Sequence, residues 1–192
     1  MNKRSLLSAL IVILVAASTY GRAQSRRAES SPQKSEQKLT SPSAFDYTKP
    51  VLDEIKDIED RVVAVAADFP DELYEGYRPK DDPEVRTAAQ ILLHIAEQNY
   101  SAASFIRTKA QQEALMAAGK VPDRKQTQTF VSKQDTVQKV KASFAAVREA
   151  IESNPDPANA KYWLYVISHG NGHFGNLVTY YRVNGLVPPT SR

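Results

Sequence analysis

Apolar residues recur at three- and four-residue intervals in four separate stretches, which predicts four amphipathic helices. Val51, Ile55, Ile58, Val62, Val65 and Phe69 form the first stripe. Thr48 and Pro50 mark its start and Pro70 its stop. The second stripe is Ala88, Leu92, Ile95, Asn99, Ala102 and Ile106. Asp82-Pro83 reads as its N-cap with proline at the first helical position, and the pattern allows a kinked continuation towards Gly119 and Pro122. The third opens at Ser132, with Asp135 completing a weakened capping box, and runs through Val137, Val140, Phe144, Val147 and Ile151. The fourth opens at Asp156-Pro157 and ends at Asn184-Gly185.

The fold class that follows is all-α, with helices near 48–68, 83–108, 132–153 and 157–183. The predicted core includes Val51, Ile55, Leu92, Ile95, Val140, Phe144, Val166 and Leu177. A short connection around Asn154-Pro155 makes the third and fourth helices antiparallel neighbours. The longer stretch ahead of Ser132 permits a crossover, so the second and third can run parallel. No internal repeat is present.

Residues 1–23 have the layout of a secretory signal peptide: basic Lys3 and Arg4, an apolar run of 12 residues from Leu6 to Ala17, and Gly21-Arg22-Ala23 as a cleavage site. That run is shorter than the roughly 20 residues a bilayer span needs. Residues 24–43 contain a single large aliphatic residue, Leu39. They cannot bury enough surface to offset their ordering entropy, so they read as a disordered linker. The folded domain is then 44–192, and the localisation expected is periplasmic or secreted, without stable membrane insertion.

Charge changes its meaning once these parts are separated. The sequence pI is 9.0, yet 44–192 carries 18 Lys and Arg against 20 Asp and Glu, a net charge of −2. A nucleic-acid partner would call for positive charge on the folded part, so none is expected. The mean hydropathy of −0.45 excludes an integral membrane bundle. With no cysteine in the chain, disulfide frameworks, thiolate zinc sites, iron–sulfur clusters and thiol nucleophiles are excluded.

The fourth helix interrupts its own pattern. The line Tyr162, Val166, His169, His173, Asn176, Tyr180, Val183 places two imidazoles and a carboxamide in the middle of an apolar stripe. Burying unpartnered polar groups costs about 1–3 kcal/mol each, so these should have a ligand or one another. His169 and His173 stand one turn apart, the spacing of two ligands to one metal. The third histidine of the chain is His94, in the second helix. At about 1.5 Å per residue it lies about 17 Å along its helix, and the pair about 18–24 Å along theirs, so all three can converge. Spacing alone leaves two readings open, a three-imidazole metal site and hydrogen-bonded core histidines.

Other patterns fail on chemistry. Gly170-Asn171-Gly172-His173-Phe174-Gly175 matches the dinucleotide glycine pattern, but no Asp or Glu occurs after Asp156 to bind a ribose, and no βαβ unit surrounds it. These glycines read instead as space beside the histidines. A metalloprotease helix needs Glu where Gly170 stands. A di-iron bundle needs Glu three residues before each His, where Ile91, Val166 and Gly170 stand. Glu97, one turn from His94, is the candidate to orient an imidazole or move a proton. A solvated helix charge is the plainer role for it. Tyr74, Tyr77 and Arg78 lie between the first two helices and can line a pocket mouth or cap the helices.

Two segments resemble a known family. Leu92-Leu93-His94-Ile95-Ala96-Glu97-Gln98-Asn99-Tyr100 resembles the second-helix motif of the DinB-like (damage-inducible-type) superfamily of metalloenzymes. The run from His169 through His173-Phe174-Gly175-Asn176-Leu177-Val178-Thr179-Tyr180-Tyr181-Arg182 to Gly185-Leu186-Val187-Pro188-Pro189 resembles its C-terminal signature. The likeness spans roughly Phe45 to Ser191. It implies a four-helix bundle in up-down-down-up order, with His94, His169 and His173 as the ligands of a divalent metal, zinc or nickel first, then cobalt or iron. Asn176, Tyr180 and Tyr77 are the accompanying pocket candidates. One departure is Gly172, where many relatives carry an acid. The resemblance implies a metal-dependent enzyme acting on a small molecule, hydrolase-like or a thiol-dependent transferase. An exported protein would not meet the cytosolic thiols of the transferases. A non-catalytic metal- or ligand-binding module and a homodimer both stay open.

Overall fold

The structure, a computed structural model, describes residues 46–192. The signal peptide and linker expected over 1–43 lie outside the described residues. Every regular element described is helical: α1 (Thr48–Asp68), α2 (Asp71–Tyr74), α3 (Ala88–Ile106), α4 (Lys109–Ala117), α5 (Arg124–Gln128), α6 (Lys133–Ser153) and α7 (Ala160–Val183), with short 3-10 turns between some of them. No helix among the described residues is long and apolar enough to cross a membrane.

The four long helices coincide with the four stripes, and α1 and α6 start and stop within a residue of expectation. The second departs from it. Asp82 does not cap α3; its carboxylate accepts from the Glu84 N–H at 2.9 Å in a turn of its own. The helix begins at Ala88, because Thr87 and Gln90 form a full capping box: Thr87 Oγ1 accepts from Gln90 N–H, and Gln90 Oε1 accepts from Thr87 N–H. Two backbone donors are satisfied at once, which outcompetes an Asp-Pro start. Nor does α3 bend on towards Gly119. It ends at Ile106, Arg107 turns extended, and Thr108 with Gln111 repeats the capping box to start α4.

Packing is set by which faces are apolar. α1 packs on α6 and α7, and α3 packs on the same two, so α6 and α7 share partners rather than pairing directly. This corrects the expectation of adjacent third and fourth helices. The stripe of α6, from Val137 to Ile151, faces the core formed with α1 and α3. The chain then leaves through Asn154 and a turn at Pro157–Asn159. Cross-helix bonds give the directions. Arg61 meets Asn171 and Asp68 meets Tyr181, so α1 and α7 are parallel. Asn99 meets Ser143 and Arg107 meets Glu149, so α3 and α6 are parallel. Glu59 pairs with Arg148 while Lys133 reaches the Phe69 carbonyl, so α6 opposes α1.

The core contains Ile55, Leu92, Ile95, Val140, Phe144, Val166 and Leu177 as expected, whereas Val51 is only half-buried at its edge. The buried line of α7 is rotated from the one that contains the histidines: Trp163, Val166, Gly170, Leu177, Tyr180 and Tyr181 are buried, while Asn176 and Val183 are exposed. Gly170 faces α1, and a Cβ there would come within 2.7 Å of Ile58 Cγ2. Gly172 has open space around it.

Opposite effects follow for two alanine substitutions. Gly170→Ala should destabilise by about 1–3 kcal/mol, because Ile58 is fully buried and stiff at its branch. Gly172→Ala should stabilise by up to about 1 kcal/mol through helix propensity alone. Urea midpoints of the two variants check the signs.

Candidate metal centre

α3 and α7 run past one another in opposite directions: Phe105 stacks on Tyr162, Gln98 meets Tyr165, and His94 meets His169 and His173. The seam therefore brings together histidines 75 positions apart in the chain. His94 Nε2 and His169 Nε2 are 3.2 Å apart. The ring of His173 stands 4.5 Å from that of His169 and 5.1 Å from that of His94, centroid to centroid. One nitrogen from each of the three rings lies within 4.8 Å of the others, so the cluster can hold a metal ion.

The donor set fits such an ion. Zn–N bonds of about 2.0–2.1 Å in tetrahedral geometry separate two ligand nitrogens by about 3.3–3.4 Å. His94 and His169 already stand close to that separation. All three rings are half-buried, and burial is the first cause that lowers each imidazole pKa. His169 is lowered furthest, to about 4, with the neighbouring His173 and His94 and then Arg86 adding to the effect of burial. Arg86 also lowers His94 and His173. The rings are thus neutral at pH 7, the protonation state that coordination requires.

A chain of side chains links the first and last elements of the site. Tyr165 stacks on the His169 ring at 5.2 Å and 22°. Its hydroxyl donates to Gln98 Oε1 at 2.7 Å, and Gln98 Nε2 donates to Glu97 Oε2 at 2.6 Å. That oxygen lies 3.7 Å from His94 Nδ1, while Glu97 Oε1 takes Arg124 Nε at 2.9 Å. The circuit turns His94 Nδ1 towards a carboxylate, which favours the proton on Nδ1 and leaves Nε2 free. Among the described residues His169 Nδ1 is buried with no hydrogen-bond partner. His173 Nδ1 lies 3.3 Å from the Asn176 amide on the exposed side of α7.

Of the other pocket candidates, Tyr180 is buried and donates to the Arg86 carbonyl at 2.6 Å, with Tyr77 set edge-on to its ring at 5.7 Å. They hold the segment before α3 in place, and among the described residues neither has a hydrogen bond or ring pairing with a histidine. Tyr74 belongs to the core. Arg78 does line a pocket mouth: a cavity of about 290 Å³ opens beside His94, with Arg78, Arg86 and Gln90 in its wall. Sequence reasoning missed Gln98, Tyr165, Arg86 and Arg124. Only Gln98 had a visible cue, its place next to Glu97; the others depend on pairings between distant elements.

Searches of family models, of curated proteins and of solved structures find no match to this chain.

The lowered imidazoles carry a pH dependence. In the unfolded chain they titrate near 6.5; in the folded protein they titrate below it. As pH falls through the window from about 6.5 towards 4, the unfolded chain takes up protons that the folded one does not. Stability of the metal-free protein should therefore drop across that window. Urea midpoints at pH 7, 6 and 5 should fall more steeply for the wild type than for a triple His→Gln variant at 94, 169 and 173. Parallel slopes would contradict the buried neutral cluster.

Proposed function

We propose that this chain is a divalent-metal protein of the DinB-like type, a four-helix bundle in up-down-down-up order, and that it works as a metal-dependent enzyme of the hydrolase class on a small molecule. The observation that carries the reading is the convergence of His94, His169 and His173, with His94 in the wall of a polar cavity. The helix directions and the His-x-x-x-His signature of α7 support the family assignment. Zinc is the first choice of metal and nickel the second, with cobalt and iron compatible with three imidazoles.

A divalent ion held by these rings supplies Lewis acidity at the cavity wall. The protein's own groups then divide the work. His94, His169 and His173 bind, and their burial keeps them unprotonated. Glu97 acts as a positioning residue: buried and committed to Arg124 and Gln98, it orients His94 rather than exchanging protons with a substrate. Tyr165 holds the plane of His169. The cavity, of metabolite size, admits the substrate. A second reading, a binding module without catalysis, is favoured by Gly172, which leaves open space where many relatives have an acid. Export, with cleavage after Ala23, completes the proposal.

Elemental analysis of untagged protein should find about one equivalent of metal per chain. His169→Ala should lose most of it while keeping its helical circular dichroism, since that ring stands at the edge of the core. Full occupancy in the variant, or none in the wild type, would contradict the ligand assignment. Turnover of an ester, amide or phosphoester panel supports the enzyme; silence in a metal-loaded protein moves the binding module ahead. Intact-mass analysis of protein from its native host should show an N-terminus at Gln24, and a soluble cytoplasmic form retaining 1–23 would contradict export.

A further inference from the structure

Arg86 stands out among the charged residues around the site. It lines the cavity beside His94 together with Arg78, Glu84, Gln90 and Gln128. Arg78 is committed, its guanidinium donating to the Val85 carbonyl and to Gln90 Oε1. Arg124 is paired with Glu97. Among the described residues the Arg86 side chain has neither a hydrogen bond nor an ion pair, and Glu84, the acid in the same wall, does not pair with it. Its backbone is nonetheless fixed, because Tyr180 donates to its carbonyl and Thr87, the next residue, caps α3. An exposed guanidinium without a protein partner among the described residues is thus carried on an anchored stem in the cavity wall that His94 also lines.

That arrangement is electrostatically incomplete once the rings hold a dication. Two arginines and one glutamate already leave the cavity wall with an excess positive charge, and a divalent ion at half-buried His94 would add to it, where like charges near a protein surface repel more than in bulk water. An oxyanion entering the cavity relieves both. Guanidinium binds carboxylate and phosphate through paired, charge-assisted hydrogen bonds, so the group that fits is one of these. A cavity of about 290 Å³ suits a molecule of metabolite size rather than a polymer.

We propose that Arg86 anchors the anionic group, carboxylate or phosphate, of the small substrate whose reacting atom faces the His94, His169 and His173 cluster. This rests on the metal reading above and adds the substrate class: a small organic acid or phosphate ester. Arg86 is then a binding residue for the end of the molecule remote from the reacting atom, and it selects against neutral compounds of the same shape.

The test uses cobalt-loaded protein, with cobalt content measured in every sample and binding read from its visible spectrum. Three probes share a metal-binding hydroxamate: succinate monohydroxamate, its phosphonate counterpart, and its neutral amide. Wild-type protein should bind the two anions about tenfold or more tightly than the amide, and their order tells carboxylate from phosphate. Arg86→Gln should abolish the preference while leaving cobalt content and amide binding unchanged, and Arg86→Lys should restore part of it. No preference in the wild type, or a preference that survives Arg86→Gln, overturns the proposal. Should cobalt fail to bind, the metal reading falls, and the anion site is read separately on metal-free protein. There, succinate or phosphate should shift the Nε–H resonance that Arg86→Gln removes, and an unmoved resonance overturns the anion site.

Discussion

The close seam between α3 and α7 is the contact on which the candidate site depends. Neither helix carries three ligands, and the histidines meet only because Phe105, Gln98 and His94 descend α3 opposite Tyr162, Tyr165 and His169 ascending α7. The seam in turn relies on α1. With Gly170 against Ile58, α7 lies close to α1, and its apolar residues Trp163, Leu177 and Tyr181 turn into the core. The histidine line then falls at the margin of the buried face. It is deep enough to keep the imidazoles neutral and shallow enough to meet a cavity.

This position reconciles stability with chemistry. Fully buried, three imidazoles without partners would each cost on the order of 1–3 kcal/mol. Fully exposed, they would be protonated over part of the physiological range and would bind a cation poorly. At half-burial they are lowered in pKa by desolvation and by the Arg86 charge. The supporting circuit of Glu97, Gln98 and Tyr165 restricts the rotation of His94 and His169. The site is thus prepared by the fold before any ion arrives, which limits the reorganisation that binding would require.

Much of this is legible in the sequence. Periodicity identifies all four long helices, since burying an apolar stripe is what chiefly decides where an amphipathic helix forms. The histidine cluster is legible as well, from spacing and depth along two helices. Local competition is harder to read. Asp82-Pro83 has the chemistry of a helix start, yet Thr87 and Gln90 satisfy two donors and win, and the same Thr-x-x-Gln pair at Thr108 and Gln111 divides what periodicity alone would join. Periodicity also misplaces the buried face of α7 by one line, because a neighbouring line through Trp163, Gly170, Leu177 and Tyr181 competes with the histidine line. Gly170 decides between them through a contact with α1 that no local pattern contains. The roles of Tyr165, Arg86 and Arg124 likewise arise only after distant elements are paired.

The central claim is that three imidazoles, one from α3 and two from α7, share one ion. X-ray absorption at the metal edge of zinc-loaded protein reads that ligand set directly. Three-histidine ligation predicts scattering from three imidazole rings at about 2.0–2.1 Å with a further light atom completing the shell. A shell of oxygen donors without the imidazole multiple-scattering pattern, or one unchanged in His94→Ala, would contradict it.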